Sequence, residues 1–168
     1  MKNKIIDLIF KEPEKWIHLR EVARRLKISP NSVRKYIAEL KKKRIVEIKQ
    51  EANMILFRAN MESETYRHEK LIHNLKSIYD SSILDLLYRY YNPKAIVLFG
   101  SYSRGEQKDN SDVDIAVDIN DKNMSLLGFI GLIRLLEDAL KRKVDLVEYK
   151  TIKPRIKERV LSEEIRII

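Results

Sequence analysis

Two aspartates, Asp112 and Asp114, stand two residues apart in "SDVDIAV", a run that otherwise reads as a buried strand. Alternation along a strand places both carboxylates on one face with Ala116, and Val113, Ile115 and Val117 on the other. Cα atoms at that spacing lie ~6.5–7 Å apart. The two charges therefore repel unless a cation sits between them. Oxygen-only ligands of this kind suit Mg²⁺ or Mn²⁺, ions that keep several waters and engage substrate phosphates. A third carboxylate is expected from a neighbouring strand, and "KVDLVEY" supplies Asp145 inside another apolar run.

Upstream of the pair, the apolar run Ala95–Phe99 ends at Gly100-Ser101. Glycine lets backbone approach a ligand closely. Consecutive amides and a serine hydroxyl can bind phosphate oxygens. Arg104 adds a positive charge, and Gly105 frees the next turn.

The elements that must position these residues follow from periodicity. From Lys94 the pattern predicts a strand over 95–99, a loop and a strand over 112–119. A helix over 124–140, a strand over 144–149 and a helix over 154–161 follow, and "EIRII" closes as a short strand. This is an α+β domain, expected over 94–168. Before it, residues 61–93 read as a connecting helical segment, one helix or two. Its apolar stripe is Leu71, Leu75, Ile78, Ile83, Leu86, Leu87 and Tyr90, and Asn92-Pro93 ends it. Such a stripe suits packing on a neighbouring domain or on a second copy of the chain.

The first 60 residues show a different plan. Ile5, Ile6, Ile9 and Phe10 recur at helical spacing, and Pro13 closes that helix. Two further helical patterns bury Leu19, Val22, Ala23 and Leu26, then Val33, Ile37 and Leu40, with Ser29 as N-cap and Pro30 at the first helical position. After Arg44 the period becomes two, predicting two short strands around "KQEAN". Trp16 is expected beneath the first helices.

Charge divides the chain in the same way. The net charge is +9. Residues 1–60 hold 16 Lys and Arg against 7 Asp and Glu, and the remainder holds 18 of each. An excess confined to one end points to a module that binds a polyanion. Cysteine is absent, which excludes disulfides and thiolate metal sites and fits a reducing compartment. The N-terminal apolar run is broken by Asp7 and is too short for a signal peptide or a membrane span. The expectation is a soluble, cytoplasmic protein with no membrane association. His68 and His73 are five apart, the wrong spacing for a metal pair on one helix face.

Two resemblances sharpen these readings. "REVARRLKISPNSVRKYIAELKKKRIVE", followed by the strand pair, resembles the winged helix-turn-helix family over about residues 3–58, with "NSVRKYIAEL" as the recognition helix. It departs from that family in carrying Lys27 and Ile28 in the turn, where a glycine is frequent. The resemblance implies DNA as partner. Contacts are expected from Asn31, Ser32, Arg34 and Lys35 near the start of the recognition helix, and from Lys41, Lys42 and Lys43 at its end. Lys49 and Arg58 would flank the wing. Paired DNA half-sites would make a homodimer reasonable.

"GSYSRGEQKDNSDVDIAV" has ten residues between Gly-Ser and Asp-x-Asp. It resembles the minimal nucleotidyltransferases (MNT proteins) of the polymerase-β-type superfamily, over about residues 90–168. The resemblance implies a mixed sheet flanked by helices, and transfer of a nucleoside monophosphate from an NTP, ATP being the expected one, with release of pyrophosphate. Gly100 and Ser101 would hold the triphosphate, with Arg104 beside them. Asp112 and Asp114 would bind two Mg²⁺. Asp145 would share one metal and help deprotonate the acceptor hydroxyl. In that family the acceptor is often a HEPN-type toxin partner, so an antitoxin-like role is implied. Two other readings stay open: a transcriptional regulator whose C-terminal domain only binds nucleotide, and a transferase that modifies nucleic acid.

Overall fold

In the computed structural model, which describes residues 2–108, 110–119, 125–152 and 154–167, the chain divides into two compact units, Met1–Lys70 and Leu71–Ile168. Met124, the expected first residue of a helix, and Ile168, the last residue of the expected C-terminal strand, lie outside the described residues.

The first unit begins with α1 (Lys2–Lys11), β1 (Ile17–His18), α2 (Leu19–Leu26) and α3 (Pro30–Lys42), and continues with β2 (Val46–Glu51) and β3 (Met54–Ala59). The strands form an antiparallel sheet in the order β1-β3-β2. This is the helix-turn-helix with a β-hairpin that the apolar spacing predicts. Two features lay beyond the periodicity. The two-residue β1 adds a third strand, and the hairpin loop shrinks to Ala52-Asn53, so Lys49 and Gln50 lie within β2. The core joins Ile5, Ile9 and Phe10 of α1 to Leu19, Val22 and Ala23 of α2, Val33, Ile37 and Leu40 of α3, and Phe57 of β3. Full burial of each large side chain there contributes roughly 1.5–3 kcal/mol. Ser29 is the N-cap of α3, its Oγ accepting the Ser32 amide at 3.1 Å, and Pro30 opens the helix. Trp16 does not lie among the core side chains. Its ring is covered by two cations of the sheet, Lys49 at 4.4 Å and Arg58 at 4.7 Å. Cation–π attraction therefore holds it, with no share in the helical core.

The segment expected to connect the halves forms two helices, α4 (Glu64–Asp80) and α5 (Ile83–Tyr91). Asn92, at φ 39°, takes the left-handed conformation that ends α5, and Pro93 follows. Of the predicted stripe, Ile78, Ile83 and Leu87 are buried, whereas Tyr90 is exposed.

The second unit then runs β4 (Ala95–Phe99), a single helical turn α6 (Gly100–Ser103), β5 (Val113–Asp118), α7 (Leu126–Leu140) and β6 (Val144–Glu148). A short 3₁₀ turn (Tyr149–Thr151), α8 (Pro154–Glu163) and β7 (Ile165–Arg166) complete it. The sheet order is β6-β5-β4-β7. β4 is antiparallel to β5 and β7, and β5 is parallel to β6, so the sheet is mixed. One face supplies Ile96, Leu98, Val113, Ile115, Val117, Val144 and Leu146 to a core that also takes Leu132 and Leu136 of α7, and Ile83 and Leu87 of α5. The opposite face carries the polar members of the alternation. Among the described residues no helix is long and apolar enough to cross a membrane.

Lys27 explains how α2 turns into α3 without a glycine. The lysine itself occupies the left-handed region, at φ 55° and ψ 44°. That conformation costs an L-residue about 1–2 kcal/mol, while a glycine there loses about 0.5–1 kcal/mol more chain entropy on folding. Lys27→Gly is therefore expected to stabilise the chain by about 0.5–1 kcal/mol. Denaturant titration reads this directly, and a lower midpoint would contradict it.

Candidate active site

The carboxylates are gathered by strand register. Asp114 in β5 is paired with Phe99 of β4 on one side and with Asp145 of β6 on the other. Paired residues on adjacent strands share a face, and the strands lie about 4.8 Å apart. Asp114 and Asp145 are thus lateral neighbours. Asp112 precedes β5 and is exposed, Asp114 is half-buried and Asp145 is exposed. The face that carries them is the one turned away from the Val113, Ile115 and Leu146 core. Asp118, at the far end of β5, belongs elsewhere. It pairs with Lys150 at 2.7 Å, and that hydrogen bond raises the lysine pKa.

Gly100 follows Phe99 directly and adopts φ +69°. A Cβ at this position would collide with the carboxylate of Asp114, whose Cγ would lie 2.9 Å away. The Gly100 backbone and the Asp114 carboxylate therefore occupy adjoining space that only a residue without a side chain leaves open. Three consecutive carbonyls of the α6 turn are held. The Gly100 carbonyl accepts from Ser103 Oγ at 2.9 Å, that of Ser101 from the Glu106 amide at 2.9 Å, and that of Tyr102 from Asn74 Nδ2 at 3.0 Å. Arg104 lies at the end of the turn, and its Nε donates to Glu106 at 2.7 Å. On the approach to β5, Ser111 Oγ accepts the Lys108 amide at 2.9 Å.

The donor set is all carboxylate oxygen, which fits Mg²⁺ or Mn²⁺. Among the described residues no group of three or more His, Cys, Asp or Glu side chains converges closely enough to hold an ion unaided. A Mg²⁺ held by one or two carboxylates takes its other ligands from water and substrate phosphates. The residues fit that mode of binding better than a closed protein cage.

Asn74 and Gln107 escaped the sequence reading. Both are buried, at 4% and 6% exposure, and Gln107 Nε2 donates to Asn74 Oδ1. A signal was available: Asn74 is the polar residue on the Leu71, Leu75, Ile78 stripe of α4.

In the first unit, Asn31, Arg34 and Lys35 are exposed near the start of α3, and Lys41, Lys42 and Lys43 are exposed at its end. The Ser32 hydroxyl shares a 2.8 Å hydrogen bond with Ser29 Oγ, the capping atom. Lys49 differs from the other cations. It is half-buried, lies over Trp16 and pairs with Glu51 at 2.7 Å. Arg58 likewise pairs with Glu47 at 3.0 Å.

Comparison with known proteins agrees with this architecture. The family described as polymerase beta nucleotidyltransferase matches residues 81–168, more than half of the chain. The helix-turn-helix domain of the M protein trans-acting positive regulator matches residues 1–51. A Methanocaldococcus jannaschii protein, provisionally named a protein adenylyltransferase, is 40% identical over 75 residues, 45% of this chain and 80% of the relative. The protein adenylyltransferase MntA of Thermococcus cleftensis is 44% identical over 77 residues, 46% of this chain and 77% of that protein. A chain in a toxin–antitoxin crystal structure with AMP-PNP is 31% identical, at a TM-score of 0.46 over 53% of this chain and 73% of its own. The chain belongs to the polymerase β nucleotidyltransferase family, in its minimal branch, and carries an N-terminal helix-turn-helix domain. It is a nucleotidyltransferase.

The Gly100–Asp114 contact carries a stability consequence. Gly100→Ala places a side chain at positive φ, a cost of about 1–2 kcal/mol, and pushes the Asp114 carboxylate aside. Thermal melting should show a midpoint lower by several degrees. An unchanged midpoint would mean that the turn and β5 are not held together as described.

Proposed function

We propose that this chain transfers AMP from ATP to a hydroxyl of a protein acceptor, in a Mg²⁺-dependent reaction, and that its N-terminal unit binds DNA. The observation that carries the transfer reading is the juxtaposition of Gly100, just past the end of β4, with Asp114 on β5 and Asp145 on β6, Asp112 lying two residues from Asp114. Relatives bearing the name protein adenylyltransferase support AMP as the group moved and protein as the acceptor class. The HEPN-type toxin implied by the MNT resemblance is the acceptor we favour, which would give the chain an antitoxin-like role.

In this reading Gly100 and Ser101 receive the triphosphate, because glycine admits phosphate against the backbone. Arg104, already balanced by Glu106, adds little net positive charge there. Asp112, Asp114 and Asp145 would hold Mg²⁺ or Mn²⁺, and when bound the ion supplies charge neutralisation at the phosphates. Asp145, exposed on β6, accepts the proton of the incoming acceptor hydroxyl. The acceptor oxygen bonds to the α-phosphorus, the bond from that phosphorus to the bridging oxygen breaks, and pyrophosphate leaves with the electron pair. The alternatives set against it are a regulator that binds nucleotide without transferring it and a transferase that modifies nucleic acid.

Labelled NTPs, Mg²⁺ and a cell lysate supplemented with a HEPN-type toxin separate these readings. Label on a protein band from ATP is expected. Asp112→Ala/Asp114→Ala should lower transfer by about a hundred- to a thousandfold, the loss seen when a single catalytic electrostatic contact is removed, and chelation should abolish it. Label on nucleic acid would favour the nucleic-acid-modifying alternative. Tight nucleotide binding with no transfer in any condition would leave the regulator.

For DNA, the exposed lysines at the end of α3 are the expected phosphate contacts, and Lys49 is committed to Trp16 and Glu51. Lys41→Ala/Lys42→Ala should flatten the dependence of log K on log salt by about 1.8, at about 0.9 per phosphate contact. Lys49→Ala should leave that slope within experimental error. Fluorescence anisotropy on a duplex reads both, and equal effects of the two variants would place DNA on the hairpin as well.

A further inference from the structure

The buried pair Asn74 and Gln107 has no share in the proposed chemistry, yet it is costly. A polar amide removed from water is unfavourable unless its hydrogen bonds are replaced, and two leucines would fill similar volumes with no such requirement. Asn74 sits on α4 beside Leu75 and Ile78, which belong to the apolar core. Its amide is used on both sides, with Nδ2 donating to the Tyr102 carbonyl and Oδ1 accepting from Gln107 Nε2. Tyr102 lies in the α6 turn, and Gln107 lies two residues beyond Gly105. One side chain on a long helix thus grips the loop at two points, five residues apart.

The grip acts on the backbone that matters. Holding the Tyr102 carbonyl fixes the following peptide plane. The Gly100 and Ser101 carbonyls are already held, by Ser103 Oγ and by the Glu106 amide. The Gln107 contact has a second effect. By occupying Oδ1 it settles which edge of the Asn74 amide faces Tyr102, so the donor and not the acceptor meets that carbonyl.

We infer that Asn74 and Gln107 are positioning residues that set the backbone of the 100–107 turn, and through it the nucleotide affinity of the site. The nucleotide part of this inference rests on the reading that Gly100 and Ser101 receive the triphosphate. The backbone part stands without it.

The test uses the full chain and the variant Asn74→Leu/Gln107→Leu, with single Gln107→Leu, which leaves the Asn74 bond to Tyr102 in place, as a companion. Replacing both members of a hydrogen-bonded pair with apolar groups of similar shape is close to neutral for stability. The Tyr102 carbonyl also loses its Asn74 donor in this variant and keeps only the Gly105 amide at 3.4 Å, so the melting midpoint should fall by a few degrees while the chain stays folded. Amide hydrogen exchange at Gly105 and Glu106 should accelerate about tenfold in the double variant, the loss expected of one net hydrogen bond, and about threefold in the single variant. The Kd for Mg²⁺-ATP, by calorimetry, should rise about tenfold. Exchange at Gly105 and Glu106 within twofold of native in both variants would overturn the inference. Accelerated exchange in a protein whose native form binds no nucleoside triphosphate would uphold the positioning role and overturn the triphosphate reading.

Discussion

The second unit is organised around one close approach, the Gly100 backbone against the Asp114 carboxylate. Antiparallel pairing of β4 with β5 sets Phe99 opposite Asp114, so the residue after Phe99 must pass the carboxylate at van der Waals distance. A side chain at this position would strike the carboxylate, and Gly100 takes positive φ. The chain leaves β4 at this residue and enters the single helical turn α6. The turn's carbonyls are then held by Ser103, Glu106 and Asn74. Parallel pairing of β5 with β6 brings Asp145 alongside without adjustment. The polar cluster follows from register, and the register from the apolar face beneath it. Shifting β5 by one residue would turn Val113, Ile115 and Val117 outward and bury the carboxylates.

Much of this was legible in the sequence because two periods carry it. Alternation gave the strands of the second unit to within a residue or so, and it separated Asp112 and Asp114 from Val113 and Ile115. Helical spacing gave α1, α2 and α3, with Ser29 and Pro30 marking where α3 begins. Most of what escaped depends on contacts between residues distant in the chain. Asn74 and Gln107 are 33 residues apart, and neither belongs to a local motif. Trp16 meets Lys49 and Arg58 across a sheet whose third strand is only two residues long. Tyr90 sits at a stripe position of α5 and is exposed all the same, because periodicity assigns a face and cannot say how far a neighbour extends over it.

The two units manage charge by different means. In the first, several cations are balanced close at hand: Lys2 by Glu39, Lys15 by Glu12, Arg25 by Glu21, Lys49 by Glu51 and Arg58 by Glu47. Exposed pairs of this kind contribute little stability, but they lower the positive field where they occur. The lysines at the end of α3 are clustered and exposed, so the field of the unit concentrates there. In the second unit the acidic groups that matter are held close together by strand register. Repulsion among them is the electrostatic counterpart of affinity for a cation.

The strand order also implies a sequence in time. Phe99 and Asp114 are joined by a loop of 14 residues, whereas Asp114 and Asp145 are separated by a whole crossover that includes α7. Closing the shorter loop costs less chain entropy, and parallel pairing across a crossover is a slower event. The glycine turn and its facing carboxylate therefore come together first as the chain folds. Asp145 arrives only when β6 docks, so the carboxylates are brought side by side by the later of the two pairings.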